Sequence, residues 1–544
     1  MIKEQIKKII KKTISQEVDF SVEVPTNKNF GDYSTNVAMM LKKNPDEIAE
    51  KIKSDLFKKI EVKNGFINFF ISDKYFIDNL KNINKDYGKN KELKNKKIVI
   101  DYTDPNPFKE FHIGHLMSNA IGESISRILE FQGAKVKRVC FQGDIGIHVA
   151  KAVWDLKNKG IYYPTPQLSA TAYAVGSEMY KTSKDIEKEI NKINKKIYDR
   201  SDRDINKIYD EGKKASLKYF DKIYKMLNTE FNDLIFESQV IDLGKKIVEK
   251  GLKNGIFEKG EGGAIIFRGE KYGLHTRVFI NSDGLPTYEA KDLGLAELKY
   301  KKYKYDESVV VTANEQNSHF AVMLCALDKI NKELAERTKH ISHGILKLPE
   351  GKMSSRTGNV ITGESLIEKI KELVSQRIKD KELSEIEKSE ISEAVAIGAI
   401  KYSILKQSIG SDIIYDFDRS ISFDGDSGPY LQYSYARAKS VLKKAKQEGI
   451  KPNFKKTPDH VGRLEKKIVL FSDAVLQADK SLDPHFIALY LSELASEFNS
   501  YYTKNKIVSR NDEFSAYKVA ITEKFAIIME NGLWLLGIRP LEKM

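Results

Sequence analysis

The sequence predicts an α/β domain with a parallel, Rossmann-like sheet, preceded by a small α+β domain and followed by an all-α helical bundle. In the middle of the chain, strand-like apolar runs alternate with helical segments, as in βαβ units. The first part mixes helical and strand-like segments, and from about Ser384 the apolar spacing is helical throughout. The predicted domains span residues 1–85, 97–380 and 384–544.

The composition is that of an ordinary globular protein. Hydrophobic residues make up 41% of the 544 residues and charged residues 31%, which allows a core and argues against disorder. No apolar run approaches the ~18 residues that cross a bilayer, so no membrane association is expected. The basic, amphipathic N-terminus lacks the apolar centre of a signal peptide, and we expect it to form the first helix of the fold.

The net charge and the number of cysteines indicate what kind of partner the protein binds and in which cellular compartment it works. The formal net charge of +14 suits a polyanionic partner, because lysine and arginine displace counterions from phosphates. A generally lysine-rich composition would give the same charge, so RNA binding stays open on this observation alone. The two cysteines, Cys140 and Cys325, cannot form a zinc cluster, so no zinc and no other metal site is predicted, and a reducing cytoplasm is expected.

The N-terminal domain is predicted from an opening helix, a Gly-Asp turn and the strand-like segment GFINFFI. Phe30, Tyr33 and Asn36 lie around the turn. Aromatic and amide side chains can stack on unpaired RNA bases and hydrogen-bond to them, which makes these residues candidate RNA contacts. For either aromatic residue taken singly, Tyr33 or Phe30, a place in the core of the small domain is the favoured interpretation.

The central domain opens with a strand, a loop, a helix and a second strand. Residues 98–102 form an apolar run that two prolines terminate, and apolar residues then recur at helical spacing over 116–129. Residues 136–141 form the next apolar run. The loop of such a unit lies at the carboxyl end of the first strand, where open α/β sheets bind their ligands.

His112, Gly114 and His115 stand where the predicted helix begins. A helix N-terminus offers free N–H groups to phosphate, and two imidazoles there can donate further hydrogen bonds. Gly114 has no side chain, so a flat base could lie against the backbone. Taken alone, the segment is equally compatible with two ordinary histidines at a helix start.

A second segment far downstream alters this balance. Residues 351–359, with the sequence GKMSSRTGN, are predicted to form a small cationic loop after a predicted strand at 340–346. The two segments together resemble the HIGH and KMSKS motifs of class I aminoacyl-tRNA synthetases. The resemblance implies an ATP site made of His112, Gly114, His115, Lys352, Met353 and Ser354, in which both histidines and Lys352 also act in catalysis.

Strand-like runs, GGAIIF and TRVFI among them, continue to alternate with helical segments, so the whole sheet is predicted to be parallel. Tyr288 and Asp292 are four residues apart at the start of a predicted helix and share one face. Gln316 stands at a helix start after the apolar run 308–313. The highly charged segment at about 155–235 is interpreted as a helical insertion between the halves of the nucleotide fold.

The C-terminal domain is predicted as a bundle of amphipathic helices, whose tyrosines could be core residues or platforms for bases. Its segments SFDGDSGPYLQYSYAR and LLGIRPLEKM resemble the anticodon-binding domain of arginyl-tRNA synthetases. The N-terminal GDYxxN and GFINF elements resemble the N-terminal domain of the same family. The resemblance implies tRNA contacts at two groups of residues, Phe30, Tyr33 and Asn36, and Tyr430, Tyr433, Tyr501 and Tyr502.

The resemblance also implies an amino-acid pocket. Asn106 and Gln316 would hold the α-amino group, and Glu237 and Asp292 would face a guanidinium beside Tyr288. Paired carboxylates and an aromatic wall match a planar cation that carries five N–H donors. The implied activity is that of an arginyl-tRNA synthetase, which activates L-arginine with ATP and Mg²⁺ and transfers it to the 3′ end of tRNA(Arg); a monomer is expected.

Three other functions remain open at this point. Two carboxylates in the pocket argue against a synthetase for an apolar amino acid. The intact HIGH segment and Lys352 argue against a non-catalytic tRNA-binding paralogue. A nucleotidylyltransferase could use the same HIGH segment, but it would not need the C-terminal bundle.

The sequence departs from the family pattern at three places. Met117 stands where the family often has an arginine, and Thr103-Asp104 where it often has two serines. Ser355 replaces the second lysine of KMSKS. Negative charge develops at the α-phosphate in the transition state, so another cation is needed there. We predict that Lys109, on the loop before the HIGH segment, supplies it in preference to Arg356.

Overall fold

The computed structural model describes residues 2–14, 16–25, 27–347 and 362–544, which form three units in chain order. The expected ATP ligands Lys352, Met353 and Ser354 lie outside the described residues, as do Ser355 and Arg356. The three units agree with the predicted fold class, a small α+β unit, a parallel α/β unit and a helical bundle.

The first unit combines short helices with an antiparallel sheet. Its elements are α1 (Ile2–Thr13), β1 (Val22–Glu23), β2 (Tyr33–Thr35), α2 (Val37–Leu41), α3 (Pro45–Lys51), β3 (Phe57–Lys63), β4 (Phe66–Ile71) and α4 (Asp73–Asn82). The strands lie in the order β1-β2-β4-β3. Ile2, Ile6 and Ile10 are spaced by four residues and buried on one face of α1, so the N-terminus forms the first helix of the fold, as predicted.

The second unit is built on a five-stranded sheet. Its elements are β5 (Lys97–Asp101), α5 (Ile113–Phe131), β6 (Lys135–Gln142), α6 (Ile147–Asn158), α7 (Pro166–Thr182), α8 (Lys184–Asp199), α9 (Arg203–Met226), β7 (Asp233–Phe236), α10 (Glu237–Lys253), β8 (Glu258–Lys259), β9 (Ile265–Phe267), β10 (Arg277–Ile280), α11 (Tyr288–Tyr303), β11 (Glu307–Ala313), α12 (Asn317–Ile330), α13 (Lys332–Glu336), β12 (Thr338–His343) and β13 (Leu346–Lys347). The order is β12-β11-β5-β6-β7, and neighbouring strands are parallel. Because β11 and β6 flank β5 on opposite sides, a crevice opens at the carboxyl end of β5.

Two strands predicted for the parallel sheet lie elsewhere. β9 and β10, which come from GGAIIF and TRVFI, pair antiparallel with each other, and β8 completes a separate three-stranded sheet. The connection between β9 and β10 is shorter than the dozen or so residues that a parallel crossover needs. The prediction that these two segments belong to the parallel sheet is therefore wrong.

The helical insertion is fixed to the end of the parallel sheet by one buried carboxylate. Asp144, which follows β6, accepts hydrogen bonds from the Tyr209 hydroxyl (2.9 Å) and the Lys213 ammonium (2.7 Å) of α9. It also accepts from the backbone N–H (2.9 Å) and hydroxyl (2.7 Å) of Ser238, in the first turn of α10. The insertion and the start of α10 are thus held against the same crevice.

The third unit is helical. Its elements are α14 (Gly363–Arg377), α15 (Glu385–Leu405), β14 (Ile413–Ile414), α16 (Phe417–Ser420), α17 (Gly428–Gln447), α18 (Arg463–Val469), α19 (Phe471–Ser481), α20 (His485–Lys504) and α21 (Ser515–Leu535). α15, α19 and α21 pack against α5 of the second unit. The buried ammonium of Lys401 donates to the carbonyl oxygens of Leu227 (2.6 Å) and Gly537 (2.9 Å), which ties α15 to the insertion and to the C-terminus.

Candidate active site

A cavity of about 560 Å³ opens at the carboxyl end of β5. Eight of the side chains and backbone positions predicted for the two substrates line it: Asn106, His112, Gly114, His115, Glu237, Tyr288, Asp292 and Gln316. They come from the loop after β5 and from the starts of α5, α10, α11 and α12. The fold therefore brings together residues that stand up to about two hundred positions apart in the sequence.

The HIGH segment forms the first turn of α5. The backbone N–H of His112, the N-terminal cap, donates to Nδ1 of His115 (3.1 Å), and the two rings stack with centroids 3.6 Å apart. Because Nδ1 of His115 accepts this bond, the proton of a neutral ring lies on Nε2, which is left as a donor. A Cβ at Gly114 would come within 3.0 Å of the His112 ring, so glycine lets that ring lie on the helix backbone.

Both histidines are neutral at physiological pH. Burial, with a smaller contribution from the charge of Lys109, lowers the pKa of His112 to about 4. Burial and the nearby His112 and Lys109 lower the pKa of His115 well below its ordinary value. The start of α5 therefore offers uncharged N–H donors together with the positive end of the helix dipole, an arrangement suited to phosphate oxygens.

Lys109 lies beside this helix start, although the structure does not place it among the residues that line the cavity. Its ammonium stands 4.7 Å from the ring centre of Tyr173 on α7. Its charge still contributes to the low pKa values of His112, His115 and His148. Lys109 thus contributes positive potential to the histidine end of the cavity.

Asn106 and Glu237 meet across Gly143. The Asn106 side-chain oxygen accepts a hydrogen bond from the Gly143 N–H at 3.0 Å. A Cβ at Gly143 would stand 2.3 Å from that oxygen and 3.3 Å from Oε1 of Glu237. Any larger residue at this position would therefore displace the two predicted substrate ligands.

The Glu237 carboxylate forms an ion pair with Lys291 of α11. Nζ of Lys291 lies 2.6 Å from Oε2 of Glu237, and both side chains are at most 5% exposed. Burial raises the pKa of Glu237, and the lysine charge opposes this rise. Sequence reasoning missed Lys291; its only signal was a cationic residue directly before Asp292.

Asp292 is likewise paired within the protein. Its Oδ2 lies 2.5 Å from Nε2 of His319 on α12, and Nδ1 of His319 faces Glu289 at 3.4 Å. Burial alone would lower the pKa of His319, but the hydrogen bonds and charges of Asp292 and Glu289 raise it to about 9. His319 was also missed, since a histidine three residues after Gln316 carries no signal that it will reach α11.

The three N-terminal residues predicted to contact RNA differ in how far their side chains are buried. Tyr33 is fully buried, and its hydroxyl donates to Asp473 of α19 at 2.5 Å. Its ring is therefore not available to stack on a base, which corrects the expectation for this residue. Asn36 uses its side-chain oxygen to accept from the Ser21 N–H (2.9 Å), whereas Phe30 is partly exposed beneath the Lys63 ammonium (4.7 Å).

The four tyrosines of the helical bundle that were predicted to contact tRNA also differ in their surroundings. Tyr433 and Tyr502 flank the Arg437 guanidinium, which lies 4.7 and 4.9 Å from their ring centres. Tyr502 is 41% exposed. Tyr430 and Tyr501 are partly buried and pack against the core. One aromatic and cationic surface thus forms around Arg437.

Two negative findings concern the described residues alone. Among them, no three or more His, Cys, Asp and Glu side chains are grouped so as to hold a metal ion. No helix in this part of the chain has the length and apolarity needed to cross a membrane.

A parallel sheet whose central strand leads through a HIGH segment into a helix, joined to a helical bundle, defines the class I aminoacyl-tRNA synthetases. A family model described as "tRNA synthetases class I (R), catalytic domain" matches residues 77–417. A DALR anticodon binding domain matches 431–544, and an arginyl tRNA synthetase N terminal domain matches 1–71. The chain therefore belongs to the arginyl-tRNA synthetase family.

Individual proteins agree with this assignment. The chain is 31% identical over 566 residues to an arginine–tRNA ligase of Clostridium perfringens, covering 99% of this chain and 100% of the relative. It is 32% identical over 543 residues to that of Fusobacterium nucleatum, covering 96% and 95%. The solved Thermus thermophilus arginyl-tRNA synthetase shares the fold, with a TM-score of 0.81, 22% identity and complete coverage of both chains.

Proposed function

We propose that the protein is an arginine–tRNA ligase, which activates L-arginine with ATP and transfers it to the 3′ end of tRNA(Arg). The observation that carries this proposal is that His112 and His115 at the start of α5 line the same cavity as the carboxylates of Glu237 and Asp292. Class I synthetases use ATP with Mg²⁺, and ATP enters here as the magnesium complex, a substrate.

In the first step, an oxygen of the arginine carboxylate attacks the α-phosphorus of ATP. A new O–P bond forms, the bond to the β-phosphate oxygen breaks, and pyrophosphate leaves. His112, His115 and the N-terminus of α5 donate hydrogen bonds to the phosphates, and Lys109 adds positive charge beside them. Lys352, outside the described residues, is the expected partner of the β- and γ-phosphates. The enzyme contributes positioning and charge stabilisation.

In the amino-acid pocket, Glu237, Asp292 and Tyr288 receive the guanidinium, and Asn106 and Gln316 lie at the α-amino end. Lys291 and His319 hold the two carboxylates while the pocket is empty. Arginine binding is therefore an exchange of partners, in which the substrate replaces part of an existing ion pair. A neutral side chain of similar size could not make that exchange, which supports selection of arginine.

In the second step, a hydroxyl of the terminal ribose attacks the carbonyl carbon of the adenylate, and AMP leaves. Two surfaces support tRNA binding. One comprises Arg437 with Tyr433 and Tyr502, beside which Tyr430 and Tyr501 keep part of their surface exposed. The other lies on the first unit, where Phe30 lies beneath the Lys63 ammonium and the side chains of Met39 and Phe66 are exposed.

Charging of total tRNA with each of the twenty labelled amino acids tests the proposal, together with ATP–pyrophosphate exchange with and without tRNA. We expect charging with arginine alone. Charging with another amino acid would make the protein a different synthetase, and no charging with any would support a non-catalytic role. We further propose a monomer in a reducing cytoplasm, consistent with the two free cysteines.

A further inference from the structure

The Gly-Asp-Tyr segment of the first unit, residues 31–33, contacts the helical bundle. The Tyr33 hydroxyl donates to Oδ2 of Asp473 on α19 at 2.5 Å. Beside it, Oδ1 of Asp32 accepts from the ammonium of Lys466 on α18 at 2.8 Å. Tyr33 is fully buried, and the side chains of Asp32 and Lys466 are 15% and 25% exposed. Two consecutive residues of one turn therefore contact two consecutive helices of the third unit.

The turn itself is fixed on the sheet of the first unit. Gly31 has a φ angle of +87°, and a Cβ there would stand 2.7 Å from the carbonyl oxygen of Phe69 on β4. The Asp32 N–H donates to that same oxygen at 2.8 Å, and Oδ2 of Asp32 accepts the Ile71 N–H at 2.8 Å. A side chain at position 31 would displace the turn, so glycine is needed for Asp32 and Tyr33 to reach the bundle.

The hydrogen bond at Asp473 is the buried part of this contact. Burial raises the pKa of Asp473, and the hydrogen bond from Tyr33 opposes this rise. The other oxygen of the carboxylate, Oδ1, is buried without a hydrogen-bond partner among the described residues. Loss of the Tyr33 hydroxyl would leave the second oxygen without its donor as well, and a buried acceptor without a donor is destabilising.

Apolar packing continues across the same boundary. Phe76 of the first unit and Leu464 and Val475 of the bundle belong to one continuous core. The Lys466 ammonium also lies 5.3 Å from the centre of the Phe76 ring. Apolar burial holds the two units together without a preferred direction, whereas hydrogen bonds are directional. The polar contacts of the Asp-Tyr pair therefore fix the orientation in which the first unit lies on α18 and α19.

The same turn leads to one of the two surfaces proposed for tRNA. Phe30, three residues before Tyr33, lies beneath the Lys63 ammonium on the first unit, and the other surface surrounds Arg437 on the bundle. A ligand that contacts both surfaces binds more tightly when their spacing is fixed beforehand, because the second contact then forms at high effective concentration. The contact between the units thus bears on tRNA affinity.

We propose that Asp32 and Tyr33 are positioning residues, which hold the first unit on the helical bundle so that one tRNA molecule meets both surfaces in a single arrangement. This inference rests on the proposed function, which supplies the tRNA and its two surfaces. It assigns the Gly-Asp-Tyr segment to the contact between the units, in place of the direct RNA contact that the sequence predicted for Tyr33.

The test compares a ligand that can reach both surfaces with one that can reach the bundle alone. The first is a full-length tRNA(Arg) that the wild type charges. The second is the isolated anticodon stem–loop of the same tRNA, since the bundle matches an anticodon binding domain. Fluorescence anisotropy measures both affinities for the wild type, Tyr33→Phe and Asp473→Ala. We expect both variants to bind the full-length tRNA about tenfold more weakly, with the stem–loop within about twofold of the wild type.

Kinetics and a conservative variant provide readouts that a loss of stability alone would not change. In Tyr33→Phe and Asp473→Ala the KM for tRNA should rise about tenfold, whereas the KM for arginine should stay within about twofold. Asp473→Asn keeps an oxygen that accepts from Tyr33, so it should bind the full-length tRNA nearly as well as the wild type. Adding Tyr33→Phe to Asp473→Ala should cause no further loss, because both single variants break the same bond.

A matched control comes from an exposed ion pair between the same two units. Lys480 of α19 lies 3.8 Å from Glu4 of α1, and their side chains are 59% and 41% exposed. Lys480→Met should therefore leave both affinities within about twofold of the wild type. Unchanged binding of the full-length tRNA by Tyr33→Phe and Asp473→Ala, or an equal loss of the stem–loop, would overturn the inference.

Lys466→Met provides the test if those two variants do not fold. It removes only the partly exposed partner of Asp32, so it should weaken binding of the full-length tRNA about threefold without changing that of the stem–loop. An unchanged affinity for the full-length tRNA would then overturn the inference. Failure of the proposed function is a separate result, in which the wild type charges no tRNA with arginine.

Discussion

At the histidine end of the cavity, the groups that meet ATP are neutral and belong to one helix turn, in which His112 and His115 bond to each other. At the carboxylate end, Glu237 and Asp292 pair with Lys291 and His319, and the carboxylates and their partners come from three different helices. The histidine end can therefore bind ATP without breaking a contact within the protein. At the carboxylate end, an ion pair of the protein must break before the carboxylate can bind the substrate.

The difference follows from the cost of burying charge. A neutral imidazole at a helix start can stay unoccupied at little cost, because water or a neighbouring ring serves as its partner. A buried carboxylate without a cation is strongly destabilising, so the empty pocket needs its own cations. The binding free energy of the amino acid is then the difference between the ion pair formed with the substrate and the ion pair lost within the protein. The phosphates gain hydrogen bonds without the loss of such a pair.

The largest expected effect comes from removing a cation of the carboxylate end. Lys291→Met leaves Glu237 buried and unpaired, which should lower the free energy of unfolding of the empty protein by about 3–5 kcal/mol. Arginine can pair with Glu237, so saturating arginine should restore part of the loss. Denaturant unfolding with and without arginine measures both quantities.

A matched control for this variant lies on the same helix. Lys302 pairs with Asp233 at the surface, with its side chain 50% exposed, so Lys302→Met should cost less than about 1 kcal/mol. Equal stability of Lys291→Met and wild type would show that the pair is not what neutralises the empty pocket, and the comparison of the two ends would fail.

The next effect concerns the histidine end. Lys109→Ala should slow formation of arginyl-adenylate by about 10²-fold, comparable with the loss of one oxyanion donor, with little change in arginine affinity. Single-turnover kinetics with saturating ATP, arginine and tRNA measures it. Lys151→Ala is the control, because Lys151 makes a similar contact with Tyr180 on α7 (4.5 Å). Similar rates for the Lys109 variant and the wild type would rule out the proposed role.

The carboxylate ligands themselves should show a selective effect. Asp292→Asn and Glu237→Gln each remove one charge-assisted pair, worth about 1.5–3 kcal/mol, so the KM for arginine should rise about ten- to a hundred-fold. The KM for ATP should stay within about twofold, since the two ends bind independently. A comparable rise in both constants would show that the ends are coupled.

The smallest effect is a pair of opposite pH dependences, each with a slope of at most about 1.4 kcal/mol per pH unit. The pKa of His319, raised to about 9, makes its contribution to stability complete below pH about 6.5 and lost as pH rises toward 9. The pKa of His112, lowered to about 4, makes its contribution complete above about 6.5 and lost as pH falls toward 4.

Unfolding of His319→Gln and His112→Asn across this pH range measures the two slopes. His319→Gln should flatten the dependence on the alkaline side, and His112→Asn on the acidic side. Slopes of the same sign at both ends would contradict the assignment of a charged pair to one end and neutral donors to the other.

The sequence by itself determined the features that depend on neighbouring residues. The amphipathic spacing of Ile2, Ile6 and Ile10 predicted the first helix, and the His-Ile-Gly-His segment predicted a ligand-binding helix start. The alternation of apolar runs with helices predicted the parallel, Rossmann-like sheet. Each of these rests on local geometry, in which a few adjacent side chains decide the backbone and the face that is buried.

Only the tertiary structure decided which partners distant side chains find. Tyr33 looked like a base-stacking residue, but a carboxylate more than four hundred positions away accepts a hydrogen bond from its hydroxyl. β9 and β10 looked like members of the main sheet, and their short connection places them in another. The partners of Lys291 and His319 could not be predicted, because the charge that each compensates is brought into contact only when separate helices meet at the end of the sheet. Pairing of buried charges is a property of the assembled core, and a linear pattern does not record it.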